Sequence, residues 1–169
     1  MANYAVVRTD NMAGTDVRSM LVSVKYLGAD GETPTAIENG NVLKLGNLIE
    51  GEREVHIGAA VEADTPINEV VLVATPEMIY DERIRGLENY INEENKICRG
   101  YRLHSGDFFS VTKGALVGKE EPEVGDVVEL ADGTQLNVAA SATADSTVVG
   151  AIHAIETAGK YTFYVIRVA

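Results

Sequence analysis

Tryptophan is absent from the 169 residues, cysteine occurs once, proline four times, and aromatic residues make up only 6%. Each shortage excludes something. Cys98 alone cannot form an intrachain disulfide, so no covalent framework holds the fold. Without tryptophan an aromatic sugar platform loses its usual centrepiece, and the interior has to be assembled from Val, Ile, Leu and Ala. Basic residues are scarce too: 14 against 26 acids, for a net charge of −12. A surface that tracks a polyanion needs clustered Lys and Arg, so direct nucleic-acid binding is not expected. No apolar run approaches the roughly 20 residues of a membrane span. A basic-then-apolar leader is likewise missing, and the expectation is a chain made and folded in the cytoplasm.

Catalytic signatures are equally sparse. The chain has no Gly-x-Ser-x-Gly and no phosphate-binding glycine pattern. His104-Ser105-Gly106-Asp107 puts three triad residue types on four consecutive positions. Triads are assembled from separate segments, so this reads as a polar turn between strands. His56, His104 and His153 show no metal-ligand spacing. Cys98, beside Ile97, reads as a buried small hydrophobe. The expectations are no catalytic residue, no metal and no cofactor.

What is present is a hydrophobic content of 46%, enough for a chain of this length to bury about two-thirds of its unfolded surface. Its apolar residues fall in short runs punctuated by turn dipeptides, notably Asp30-Gly31, Asn39-Gly40 and Asp132-Gly133. Strand composition marks 20–27, 42–49, 55–61, 68–75, 101–103, 108–112, 126–130, 135–139, 148–155 and 161–168. The run Val70-Val71-Leu72-Val73 is continuously apolar between polar flanks, as in a strand buried on both faces. The clearest hairpin is 124–138. Ile84, Leu87, Tyr90 and Ile91 recur at spacings of three and four, which predicts one short helix around 76–95, with Pro76 at a first helical position or Asp81 capping a later start. Residues 1–20 hold only short apolar pairs and predict an extended N-terminal arm with a turn near Asn11–Thr15. The expected fold is mainly β (α+β): a compact barrel or sandwich over 21–169, with that helix, a subdivision near it, and the arm.

Charge is uneven along the chain. Residues 27–80 hold ten acids and two bases, residues 114–157 eight and one, while 81–113 balance at six and six. The acidic regions read as solvated faces. Arg99, Tyr101 and Arg102 form a small basic-aromatic cluster. Stacking on nucleic acid is one reading of it, and ion pairing of the arginines on so acidic a chain is the better one.

Several stretches resemble a family of tailed-bacteriophage capsid decoration, or head cement, proteins. These are Met1-Ala2-Asn3-Tyr4-Ala5-Val6, Arg8-Thr9-Asp10-Asn11-Met12, Asn39-Gly40-Asn41-Val42, Leu48-Ile49-Glu50-Gly51-Glu52-Arg53-Glu54 and Tyr80-Asp81-Glu82-Arg83. Further on come Arg99-Gly100-Tyr101-Arg102-Leu103-His104, Gly106-Asp107-Phe108-Phe109-Ser110-Val111-Thr112 and Phe163-Tyr164-Val165-Ile166. The resemblance implies a non-enzymatic virion protein on the capsid exterior that binds the major capsid protein as a homo-oligomer, a trimer for preference. It implies no catalytic residue. The candidate interface then comprises Tyr4, Val6, Val7, Arg8 and Met12 of the arm, together with Arg99, Tyr101 and Arg102. The alternatives are a tail-tube or head–tail connector subunit, a ligand- or carbohydrate-binding module, and an enzyme whose site is assembled across strands.

Overall fold

Among residues 4–12 and 20–169, which the computed structural model describes, frequent turn residues separate twelve strands that pair into two sheets. In chain order they are β1 Val7–Asn11, β2 Leu21–Tyr26, β3 Val42–Leu48, β4 Val55–Ala59, β5 Val70–Val73, β6 Cys98–Arg102, β7 Phe108–Val111, β8 Leu116–Gly118, β9 Val127–Glu129, β10 Leu136–Ala139, β11 Val148–Ala158 and β12 Tyr161–Val168. Strands β2-β4-β3-β5-β6 close into a five-stranded barrel, with β2 returning to pair antiparallel with β6. The other seven form a sheet ordered β1-β7-β12-β11-β9-β10-β8. The mainly β architecture expected of the composition is the one observed.

β5 shows how the two units share one chain. All four of its residues are buried, and alternate side chains leave a strand on opposite faces. Val71 and Val73 fill the barrel with Val24, Leu43 and Cys98. Val70 and Leu72 point the other way, into the larger core shared with Phe109, Leu136, Ile152 and Ile166 of the seven-stranded sheet. A barrel of five strands is narrow, and Gly58 marks how narrow: a Cβ there would lie 2.6 Å from Val24 Cγ2 and 2.9 Å from Leu43 Cδ1. The expected hairpin is present, with Val138 opposite Val128. Its turn is bonded to the barrel through reciprocal Val61–Gly133 backbone hydrogen bonds, and Gly133 there has φ +131°. A side chain at that φ would be strained.

Two expectations are corrected. The helix around 76–95 does not form. Between β5 and β6 the chain makes only two 3-10 turns, Glu82–Ile84 and Leu87–Asn89, with Gly86 extended between them. The cause is local competition plus fixed ends. Asp81 accepts a hydrogen bond from the Arg83 backbone N–H at 3.0 Å and pairs with its guanidinium at 2.8 Å, a turn that competes with helical bonding. Asn39, buried, receives the Thr75 N–H (3.0 Å) and donates to the Thr75 carbonyl (2.7 Å). Asn92, also buried, donates to Asn39 Oδ1 and to the Ile37 carbonyl. The excursion is therefore pinned at both ends in extended backbone. A short helix draws most of its stability from packing an apolar face, and here Met78, Tyr80 and Leu87 stay exposed.

The second correction concerns the arm. Its described part, residues 4–12, is extended as expected but belongs to the body. β1 pairs antiparallel with β7, Val7 opposite Val111 and Arg8 opposite Ser110, and Ala5, Val6, Val7 and Met12 are buried. Val6 and Thr112 exchange bonds, the Val6 N–H donating to Thr112 Oγ1 and the Thr112 N–H to the Val6 carbonyl, both at 2.9 Å. The edge of β7 offered unpaired backbone groups, and this segment covers them. The turn expected near Asn11–Thr15 falls mostly outside the described residues.

Candidate docking surface

The eight residues expected at an interface have different fates. Val6, Val7, Met12 and Tyr101 are buried in their own chain. Tyr4 is half-buried, and its N–H donates to the Glu88 carbonyl at 2.8 Å. Arg8 stacks 4.3 Å over the Phe163 ring and pairs with Glu156 at 2.8 Å, so its charge is engaged within the fold. Arg99 remains exposed and Arg102 half-buried, both lining one groove on the barrel.

The excursion of residues 76–91 is the surface that sequence reasoning missed. Met78 is 64% exposed, Tyr80 87% and Leu87 41%. They rim a groove of about 530 Å³ completed by Glu77, Arg85 and Tyr161. The signal was available in Met78-Ile79-Tyr80, since three consecutive apolar residues outside a strand are an error in a fold unless they serve a function. The excursion is fastened to the turn between β11 and β12. Glu88 accepts hydrogen bonds from Lys160 Nζ and the Tyr161 hydroxyl. Chiefly the Lys160 bond, then the Tyr161 bond, lowers the Glu88 carboxyl to a pKa of about 2. An irregular segment clamped at its ends by Asn39 and Asn92, and in its second half by Glu88, can present apolar side chains without collapsing onto the body.

Several other polar groups hold the fold together. His104-Ser105-Gly106-Asp107 is a turn from β6 to β7, its buried Asp107 accepting the His104 N–H at 3.0 Å. Cys98 lies inside the barrel, where burial pushes its thiol up to about 11. Buried Glu129 accepts from Asn137 Nδ2 and from both the N–H and the hydroxyl of Thr143. Burial pushes that carboxyl up, and the hydrogen bonds outweigh it, leaving its pKa below the ordinary value. Among the described residues no three His, Cys, Asp or Glu side chains gather as a metal site. No helix there is long and apolar enough to cross a membrane. The surface sets apolar and aromatic side chains beside charged groups, a make-up like that of an interface core with a polar rim.

Comparison with known proteins returns no matching family model, no matching curated protein and no matching solved structure.

Proposed function

We propose that this chain is a structural protein of a tailed-phage particle that docks on the exterior of the assembled capsid and stabilises it. Its partner is the major capsid protein, and it acts as a homo-oligomer, with a trimer as the form its family resemblance favours. The observation that carries this reading is the clamped excursion 76–91, which displays Met78, Tyr80 and Leu87 outside both cores. Met and Tyr are enriched where proteins bind proteins, and a well-packed aromatic anchor can supply 2 kcal/mol or more. Three such side chains make a modest site, and an oligomer engaging several shell subunits at once would multiply it through effective concentration. Exposed acids outside the excursion, among them Asp30, Glu32, Glu50, Glu52, Glu120, Glu121 and Glu123, supply solvated surface that keeps decorated particles dispersed.

Sedimentation of the purified chain with emptied shells, intact particles and isolated tails tests the proposal. It predicts saturable binding to shells and particles and none to tails. Binding to tails alone, or spontaneous ring assembly around a channel, would replace it with the tail-tube or connector reading.

A further inference from the structure

Arg99 and Arg102 are expected, from sequence, to be neutralised by carboxylates of this acidic chain. They are not. Arg102 Nη1 donates to the Asn68 carbonyl at 3.1 Å, and the Arg99 guanidinium has no partner among the described residues. Among the described residues Arg8, Lys44, Arg83, Lys96, Lys119 and Lys160 each lie within 4 Å of a carboxylate, whereas Lys25, Arg53, Arg85, Lys113 and Arg167 do not, so what sets Arg99 and Arg102 apart is that they share one groove. The two arginines line a groove of about 530 Å³ that runs across β4, β2 and β6 and also includes Ser23, Glu54, His56 and Ile97. Glu54 is the one carboxylate among its described lining residues. Ile97, 53% exposed, adds an apolar wall.

We infer that this groove binds an acidic peptide segment, with Arg99 and Arg102 receiving its carboxylates and Ile97 an adjoining apolar side chain. Guanidinium suits this ligand because its planar fork meets a carboxylate through two parallel hydrogen bonds. Arg99 and Arg102 lie three residues apart on β6, an odd spacing that sends side chains of a regular strand to opposite faces, yet both line the groove, so a ligand with carboxylates at two places along its length can meet both. Nucleic acid is the poorer ligand. Base stacking needs an exposed ring, and Tyr101, the aromatic member of the cluster, is buried in the core. The groove adjoins the excursion 76–91 at Pro76 but differs from it in chemistry, and its test requires only the full chain.

The probes are a blocked peptide of alternating glutamate and leucine, inorganic phosphate, and an oligothymidine, each titrated into isotope-labelled protein and followed by amide NMR shifts. The peptide should shift residues 21–23, 54–56, Thr75 and 97–102, the segments that line the groove. Its affinity should fall at least tenfold in Arg99→Gln/Arg102→Gln, and rising salt should weaken it. A melting curve unchanged in the double variant shows that the loss is not unfolding, and Arg99→Lys alone should retain part of the binding. Unchanged peptide affinity in the double variant, shifts elsewhere, or no shift at millimolar peptide overturns the inference. Equal affinity for phosphate reduces the groove to a general anion site, and tighter binding of oligothymidine makes it a nucleic-acid site. Either result overturns the peptide assignment.

Discussion

Residues 4–12 and residues 76–91 are both short apolar-bearing segments outside the barrel, and they treat their side chains in opposite ways. The first buries Ala5, Val6, Val7 and Met12, and the second displays Met78, Tyr80 and Leu87. Hydrophobicity does not separate them. Backbone partners do. Residues 4–12 lie along β7, whose free edge takes up the segment's N–H and C=O groups and lets alternate side chains turn into the core. Among the described residues no strand pairs along 76–91, whose Glu88 carbonyl accepts the Tyr4 N–H. Their ends are fixed by Asn39 and Asn92, and their second half by Glu88 to Lys160 and Tyr161. Held at these points, and by backbone bonds from Tyr4 to Glu88 and between Ile37 and Asn92, the segment leaves Met78, Tyr80 and Leu87 exposed.

The harshest way to break this contrast is a charge in each segment. Val6→Asp places an unpaired carboxylate in the core and should destabilise the protein by about 3 kcal/mol or more in urea unfolding. Tyr80→Asp should move the midpoint by no more than about 0.5 kcal/mol. Equal effects would erase the distinction. A milder test removes the pin. Asn39→Leu leaves the Thr75 N–H and carbonyl without their partner and should cost about 1–3 kcal/mol. Hydrogen exchange should speed up in residues 75–92 more than in the barrel strands, and uniform acceleration would mean that Asn39 supports the core and not the excursion.

The finest test uses acid. The Glu88 carboxyl is lowered to about 2 by its bonds to Lys160 and Tyr161, so its contribution is complete above the ordinary glutamate value. It fades as pH falls from about 4.5 towards 2. NMR titration should find Glu88 still ionised at pH 3.5, where exposed glutamates are mostly protonated, and Glu88→Gln should raise exchange in residues 86–91 at neutral pH with little loss of global stability. An ordinary titration midpoint for Glu88 would mean that the clamp is not formed in solution.

Sequence made the β architecture legible where pattern and burial coincide. The run Val70–Val73 announces a strand buried on both faces, and Asp132-Gly133 between apolar runs announces a hairpin. β8 escaped because Leu116-Val117-Gly118 is too short to show alternation. β1 escaped because an edge strand can carry Arg8-Thr9-Asp10-Asn11 and still pair. The helix expected at 76–95 rested on spacing alone, and spacing does not register that Asn39, some 40 residues upstream, fixes Thr75 in extended backbone. The site was legible only residue by residue. Arg99 and Arg102 stood out, but their sharing of a groove with His56 depends on β2 lying between β4 and β6, a parallel and an antiparallel pairing that local pattern does not encode.

The central claim, that the 76–91 excursion is the face that meets the shell, is tested most directly by Met78→Ser/Tyr80→Ser. Its melting temperature and its sedimentation with emptied shells should be measured on the same preparation. The account predicts a melting temperature close to that of the unchanged protein and at least a tenfold loss of shell binding, since both side chains lie outside the cores and act as anchors. Full retention of shell binding by a normally folded double variant would contradict it.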